Sequence, residues 1–209
     1  MTIEPLTPER RRAMTREHLL EAAAVVFARD GYYGASLDDV AAAAGFTKGA
    51  VYSNFKSKED LFLALLDHRI DRQMAAFSAE LHTPAASDDE QLPRIQDLIA
   101  GSFDRDQGAL HYEFMAYAAR NPETRAKLAD RARRGRDATI RLITDEHERL
   151  GIVPAYPIPL LAQIMLSVFD GLAGLWFLDP ELVDDDMIRD VLAFLYANVD
   201  RPAEPSEER

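Results

Sequence analysis

Cysteine is absent from this chain of 209 residues, which excludes disulfide bridges and thiolate metal sites. Histidine is scarce, and its five copies show neither the HxxxH nor the ExxH spacing of a metal site on a helix. The glycine-rich phosphate loops, the GxSxG elbow and the HExxH motif are missing as well. We therefore expect no metal, no other cofactor and no catalytic activity.

A secretion signal and an uninterrupted membrane span are also lacking. Arg10–Arg12 stand before an alanine-rich run, but Arg16, Glu17 and His18 interrupt it and no small-residue cleavage site follows. The apolar stretch 158–178 has the length of a span, yet polar residues and two glycines break it. These patterns predict a cytoplasmic protein without a membrane partner.

Positive charge is in short supply, because 24 Lys+Arg face 36 Asp+Glu and leave a formal net charge of −12. The deficit is uneven. Residues 1–66 hold 8 basic and 9 acidic side chains, whereas residues 67–209 hold 16 and 27. The acidic remainder would repel a polyanion from every other surface and so help to orient it towards the N-terminal part. Net acidity therefore does not exclude nucleic-acid binding.

The chain does contain a compact helical pattern at residues 36–61, SLDDVAAAAGFTKGAVYSNFKSKEDL. Ser36 is placed as the N-cap of a short helix, and Gly45 suits the left-handed residue of a tight corner. A second helix is predicted from Lys48 to about Phe55, and Ser57 caps a third. Two short helices joined by a glycine turn are typical of a helix-turn-helix reader, whose second helix enters the major groove of DNA.

Polar and small residues of this pattern are placed to touch DNA. Lys48 begins the second helix, where it can reach a base edge or a phosphate, and Gly49 lets the backbone approach closely. Asn54 carries an amide that can pair with adenine. The predicted contacts are Ser36, Thr47, Lys48, Gly49, Tyr52, Ser53, Asn54, Lys56 and Lys58. Two plainer interpretations compete with these contacts. Ordinary core packing is kept for Phe55 and rejected for Tyr52, and Lys56 and Lys58 could be merely solvated charges.

Residues 15–65 resemble the DNA-binding domain of the TetR family of bacterial transcriptional regulators. The segments that carry the resemblance are LLEAAAVVFARDGYYGASL, AAAAGFTKGAVY and YSNFKSKEDLF. Asn54 departs from the family pattern, which most often has histidine before this phenylalanine. The resemblance implies that the rest of the chain forms a helical domain for ligand binding and dimerisation. It also implies that a small molecule bound there shifts the fourth helix and releases DNA.

The whole chain is predicted to be all-α, with about nine helices. A helix-turn-helix domain at residues 8–66 is joined by a long fourth helix to a second domain at residues 67–200. Residues 201–209, rich in proline and glutamate, are predicted to be a disordered tail. Besides the two short helices, we expect helices at 8–30, 58–81, 91–107, 109–120, 122–150, 158–178 and 185–199.

The last two helices are predicted to join two copies of the chain. Helix 158–178 is apolar almost all round, so one side needs a partner beyond the chain's own core. Helix 185–199 adds a second apolar stripe, and together they predict a four-helix homodimer interface. The family resemblance implies the same arrangement. The predicted interface residues are Ser167, Gly171, Gly174, Ile188, Val191, Leu192, Leu195 and Tyr196.

Aromatic and polar side chains beyond residue 67 are candidates for an effector pocket. They are Phe77, Phe103, His111, Phe114, Tyr117, Gln163, Met165, Phe169, Asp170 and Trp176. Ordinary core packing is the competing interpretation for each aromatic residue. The set favours a small apolar or aromatic effector, and the acidity of this part favours a cationic one.

These patterns indicate a ligand-responsive, dimeric transcriptional regulator that binds a palindromic DNA operator, and a repressor by the habit of the family. The alternative is a helical protein that binds or sequesters small molecules and whose DNA reader is vestigial. An enzyme is a third class, for which the sequence offers no nucleophile–base pair and no metal constellation.

Overall fold

The computed structural model describes residues 7–83, 88–103, 105–151 and 153–199. Within these ranges the chain forms nine α-helices, one 3-10 turn and no strand, which confirms the predicted all-α class. The predicted tail at 201–209 lies outside the described residues. The helices are α1 (Pro8–Gly34), α2 (Leu37–Ala44), α3 (Lys48–Asn54), α4 (Lys58–Leu81), α5 (Asp88–Ala100), α6 (Arg105–Arg120), α7 (Pro122–Leu150), α8 (Ile158–Leu178) and α9 (Asp185–Val199).

The ends of α2 and the start of α3 coincide with capping residues that are visible in the sequence. Ser36 and Asp39 form a reciprocal capping box at the start of α2. Gly45 ends that helix in the left-handed conformation, with φ 69° and ψ 23°. Thr47 accepts a hydrogen bond from the backbone N–H of Ala50 at 3.3 Å and so caps α3. Helices α4, α7, α8 and α9 begin and end where the sequence predicts them.

The exceptions concern α1, α5 and α6. Gly31 takes a positive φ of 68° and kinks α1, but helical structure resumes and continues to Gly34. Helix α5 ends at Ala100 and α6 begins at Arg105, so the predicted breaks at 107–109 are wrong. Gly108 lies inside α6, where the ring of Phe177 comes so close that a Cβ would stand 2.6 Å from Phe177 Cδ2. This glycine permits close packing of two helices instead of making a turn.

The chain divides into two compact units. The first contains the residues up to Asp71 together with Ala109–Asn121, and the second contains Arg72–Gly108 and the residues from Pro122 onward. The domains expected at residues 8–66 and 67–200 are continuous in sequence, whereas the first compact unit also includes most of α6.

The first unit has a core rich in aromatic rings. Phe62, near the start of α4, packs edge-on against Phe27 at 5.2 Å between ring centroids. It also packs against Phe114 of α6 at 4.2 Å, with the two rings tilted by 33°. Tyr32 contacts both Phe62 and Phe114, at 5.3 and 4.9 Å. Each such pair stabilises by about 0.5–1.5 kcal/mol beyond the area that it buries. These rings explain why the end of α6 joins this unit.

The second unit is built on a smaller buried cluster. Its centre is formed by three side chains that are at most 7% exposed: Ile99 of α5, Ile188 of α9, and Val183, which lies before α9. The side chain of Gln96, also buried, donates a hydrogen bond to the Arg189 carbonyl at 3.1 Å, which ties α5 to α9. Apolar side chains that pack on this centre are Phe77, Ile95, Ala100, Phe103, Phe169, Leu172, Trp176 and Leu192.

Helix α8 is the one described helix that is long and apolar enough to cross a membrane by length and composition. A single helix of this kind is weak evidence for a span, since helices of soluble proteins pass the same test. Only 11% of its apolar window is buried inside the single chain. Leu160, Leu175 and Leu178 are among the exposed side chains. Most of this apolar surface is therefore left uncovered by the chain itself.

Candidate functional site

Helix α3 presents one face to the core and the other to solvent. Val51 and Phe55, at 0% and 1% exposed, anchor it on the first unit. Tyr52 lies on the opposite face and is 56% exposed, so it is not a core aromatic. Lys48, Gly49 and Ser53 are exposed beside it. The predicted contact residues at the start and middle of α3 therefore share an accessible surface.

Lys48 is engaged by an acidic neighbour. Its Nζ forms an ion pair with Asp38 Oδ2 of α2, and this hydrogen bond raises the pKa of Lys48. The second carboxylate oxygen of Asp38 is buried and has no hydrogen-bond partner among the described residues. The pair holds the lysine across the corner between α2 and α3. A DNA contact by Lys48 has to compete with this carboxylate.

Lys58 is placed differently from its expected phosphate contact. Its Nζ donates hydrogen bonds to the backbone carbonyls of Tyr33 at 3.1 Å and Ala35 at 2.9 Å. The ammonium also lies 5.0 Å from the centre of the Tyr32 ring. Burial lowers the pKa of Lys58. Two of its three N–H donors are thus bonded to carbonyls in the last turn of α1 and directly after it.

Asn54 also turns its amide inward. Its Nδ2 donates to the Ala50 carbonyl at 2.8 Å, one helical turn back, and the side chain is partly buried. Pairing with an adenine would require this bond to break first. Ser53 makes a similar bond, from Oγ to the Ala50 carbonyl at 2.9 Å. Both side chains therefore donate hydrogen bonds to the backbone of their own helix.

Backbone N–H groups at and before the start of α4 already donate hydrogen bonds to nearby side chains. The backbone N–H of Asp60 donates to Ser57 Oγ at 3.0 Å, and that of Lys56 donates to Asp60 Oδ2 at 2.9 Å. These two donors are therefore committed within the protein, although the Lys56 side chain is exposed. Ser36 is likewise committed to the capping box of α2. Lys56 remains the accessible cation of this segment.

Glu113 of α6 is a residue that sequence reasoning missed. Its Oε2 accepts a hydrogen bond from the backbone N–H of Tyr32 at 2.7 Å, immediately after the kink at Gly31. Nearby, the Tyr117 hydroxyl donates to Glu59 Oε2 at 3.2 Å. The last turn of α1, after the kink, is thus held by α6 through Glu113, and α4 holds this turn and Ala35 through Lys58. No short-range pattern signals a bond between residues 81 positions apart.

The ten predicted pocket residues fall into two groups. Phe77, Phe103, Phe169 and Trp176 meet in the second unit, where the Phe103 ring lies 5.4 Å from Phe169 and 5.8 Å from Trp176. The side chains of Gln163, Met165 and Asp170 are exposed on the same helix as Phe169. His111, Phe114 and Tyr117 belong instead to the first unit. Phe114 is 1% exposed in the aromatic core there.

The predicted interface residues are mostly accessible, with one clear exception. Ser167 and Gly171 are exposed on α8, and Gly174, Val191, Leu192 and Leu195 are half-buried. Ile188 is 1% exposed because it packs in the chain's own core, so it has no surface to offer a second chain. The side chain of Tyr196 lies outside those that the structure describes.

Comparison with known proteins supports the reading of the N-terminal unit. Residues 19–65 match the family model described as bacterial regulatory proteins, tetR family. The chain is 28% identical over 182 residues to the uncharacterized HTH-type transcriptional regulator YfiR of Bacillus subtilis, which covers 82% of this chain and 88% of that protein. It is 26% identical over 167 residues to the HTH-type transcriptional repressor AcnR of Corynebacterium diphtheriae, covering 80% and 83%.

A solved structure shows the same architecture over nearly the whole length. A putative transcriptional regulator from Saccharomonospora viridis, crystallised in complex with choline, superposes with a TM-score of 0.64 at 25% identity. The match covers 90% of this chain and 99% of that one. The similarity therefore extends beyond the helix-turn-helix to the second unit.

Proposed function

The chain belongs to the TetR family of bacterial regulatory proteins, and on that premise we propose that it is a homodimeric repressor released from a palindromic operator by a small apolar or aromatic effector. Like its relatives, it is a transcriptional regulator and not an enzyme. Repression, dimerisation, the operator and the effector are the parts that we propose. The cytoplasm is the compartment in which such a protein meets DNA.

The observation that carries the proposal is the accessible face of α3. The left-handed Gly45 sets the corner, and the buried Val51 and Phe55 fix the helix so that Tyr52 points to solvent. A helix of this kind enters the major groove with its first residues at the base edges. Lys48 is the residue that begins it. Tyr52 and Lys56 are the accessible groups suited to phosphates.

Dimerisation is supported by the uncovered apolar surface of α8. Leu175 and Leu178 are 47% and 74% exposed, and Phe194 of α9 is 66% exposed. Large apolar side chains exposed in this way are costly in water and support an interaction site. A twofold pair of α8 and α9 from two chains would cover it. Two α3 helices would then read half-sites about 34 Å apart, one helical turn of DNA.

An apolar or aromatic effector with positive charge is supported by the aromatic cluster of the second unit. The ring of Phe103 lies within 6 Å of the rings of both Phe169 and Trp176. Aromatic faces attract quaternary ammonium groups, and the surrounding part of the chain is acidic. The Saccharomonospora viridis regulator was crystallised with choline, an ion of this class. A tenfold loss of operator affinity needs only about 1.4 kcal/mol of preference for the released state.

The DNA half of the proposal is tested by selecting genomic fragments on the purified protein and sequencing them. We expect an imperfect palindrome, with Lys48→Ala and Tyr52→Ala each weakening binding of the selected fragment by tenfold or more. Arg141→Ala, an exposed change in α7, is the matched control and should leave affinity unchanged. Failure to enrich any fragment would favour the alternative of a small-molecule binder with a vestigial reader.

The effector half uses the single tryptophan as a reporter. Trp176 fluorescence and the melting temperature are followed while choline, an aromatic amine, a neutral aromatic and a long-chain carboxylate are added in parallel. We expect the first three classes to include ligands that shift emission, stabilise the fold and release the fragment. If only strongly anionic compounds stabilise the protein, the proposed effector class is wrong. A promoter fusion that rises when the protein is deleted would support repression, and one that falls would refute it.

A further inference from the structure

A shallow hollow lies between the first half of α1 and the end of α3, away from the start of α3 where Lys48 lies. Its walls are Glu9, Arg12, Ala13, Arg16 and Asn54. Two arginines face it from successive turns of α1. Arginine side chains are the groups best suited to hold a phosphate, because their planar fork presents several N–H donors to its oxygens.

Both guanidinium groups are anchored by the end of α3. Arg12 Nη2 donates to the Ser53 carbonyl at 3.5 Å, and Arg16 Nη1 donates to the Asn54 carbonyl at 3.2 Å. The Arg16 guanidinium also lies 4.5 Å from the ring centre of Phe55, which is itself 1% exposed. The arginines are thus held in place before any ligand arrives, which lowers the entropic cost of binding.

Each guanidinium has donors left over for an anion. A guanidinium carries five N–H groups, and a single hydrogen bond to a carbonyl leaves four of them available. Both arginine side chains are exposed. With Glu9 on the same hollow, the formal charge of the three side chains is +1, which matches the single negative charge of a phosphodiester. Ser53, whose carbonyl accepts the bond from Arg12, follows the exposed Tyr52 directly in the sequence of α3.

We propose that Arg12 and Arg16 form a clamp for a backbone phosphate of the bound DNA at the C-terminal end of α3. This clamp rests on the proposed function, since it needs the duplex that α3 reads. It adds a contact from α1 that fixes the position of α3 in the groove and reads no base. The inward-turned amide of Asn54 is then a wall of the clamp and not a base reader.

Glu9 is expected to affect DNA affinity in the opposite direction from the two arginines. Its carboxylate lies on the same hollow and repels a phosphate. Removing a clamp arginine weakens binding, whereas removing the charge of Glu9 strengthens it. A change that merely disturbs the fold of α1 cannot produce gains and losses from neighbouring positions on the same helix. The pair of effects therefore separates the clamp from a purely structural role.

The test measures affinity for the selected fragment and for a random-sequence duplex as a function of salt. Variants are Arg12→Gln, Arg16→Gln and Glu9→Gln, with Arg29→Gln as the control, because Arg29 is an exposed α1 arginine paired with its neighbour Asp30. Each lost phosphate contact reduces the slope of log affinity against log salt by about 0.9. We expect this reduction for both clamp variants on both duplexes, tighter binding for Glu9→Gln, and no change for Arg29→Gln.

The outcomes are distinguishable. A wild-type protein that binds no duplex overturns the proposed function and the clamp with it. Wild-type binding with an unchanged slope in Arg12→Gln overturns the clamp alone. Arg12→Gln is decisive because Arg12 has only one long hydrogen bond to lose, whereas Arg16→Gln also removes the contact with Phe55. A loss confined to the selected fragment also contradicts the proposal, since a phosphate contact weakens binding uniformly across sequences.

Discussion

At the scale of single residues, three lysines within one short segment do three different things. Lys48 is held by the carboxylate of Asp38, Lys56 is exposed, and Lys58 is tied to two backbone carbonyls. The sequence predicted a base or phosphate contact for Lys48 and phosphate contacts for Lys56 and Lys58, because all three are lysines at or near the start of a helix. The difference comes from partners distant in the chain, which a local pattern does not contain.

Lys58 is expected to stabilise the first unit and not to bind DNA directly. Lys58→Met keeps the aliphatic stem but removes the donors of the Tyr33 and Ala35 carbonyls. The free energy of unfolding should fall by about 1–3 kcal/mol, the cost of leaving such groups without partners. Urea denaturation followed by circular dichroism measures it. Lys56→Met is the control and should leave stability within about 0.5 kcal/mol; equal stability of the two variants would refute this role.

Asp38 is expected to restrain Lys48 and so to limit indiscriminate binding. Asp38→Asn removes the ion pair and leaves the full charge of Lys48 available to phosphates. Affinity for a random-sequence duplex should rise several-fold, and its salt slope should steepen by about 0.9. Fluorescence anisotropy over a range of salt measures both. Glu21→Gln, an exposed change on α1, controls for the altered net charge; an identical rise there would assign the effect to charge alone.

At the scale of elements, the sequence was most reliable where one residue determines a boundary. Ser36, Gly45 and Thr47 predicted α2 and α3 because caps and a left-handed glycine act on their immediate neighbours. Gly108 misled, because its effect depends on Phe177, which lies far along the chain. The contact of α6 with the last turn of α1 depends on tertiary packing in the same way. Of the four aromatic pocket candidates that did meet, Phe77, Phe169 and Trp176 lie on helices, whereas Phe103 lies between α5 and α6.

Gly31 and Glu113 are expected to act as a coupled pair. Gly31→Ala places a Cβ at a residue with φ 68° and only 2.8 Å from Glu113 Oε2. The substitution should destabilise the protein by more than about 1 kcal/mol, because both the backbone and the carboxylate must shift. Chemical denaturation of Gly31→Ala, Glu113→Ala and the double variant forms a cycle, in which the double variant should lose less than the two single losses added together.

The control for this cycle is a glycine three residues away. A Cβ at Gly34 would meet only Asp30 Cβ at 3.5 Å, an ordinary contact. Gly34→Ala should therefore leave stability unchanged or slightly raised, since alanine suits a helix better than glycine. Strict additivity in the Gly31 and Glu113 cycle, or equal losses at both glycines, would show that the Glu113 contact does not matter.

At the scale of the whole molecule, the uncovered surface of α8 and the proposed spacing of two α3 helices depend on one another. Leu175→Glu puts a charge on that surface and should convert the dimer into monomers, as measured by light scattering after size exclusion. Operator affinity should fall by at least a hundredfold, because a monomer reads one half-site. Val153→Glu is the control, since Val153 is 84% exposed but lies before α8. A dimeric Leu175→Glu protein would place the interface elsewhere.

The division of α6 between the two compact units has a consequence for the construction of hybrid regulators. A graft that transplants residues 7–71 into the body of a relative would leave Tyr32 and Phe62 without Phe114 and remove the Glu113 bond. The transplanted segment would carry the DNA-contacting helix but would expose part of its aromatic core. We expect working chimeras to need the donor's own residues 109–121 as well, so that the module which can be exchanged is discontinuous in the gene although it is continuous in space.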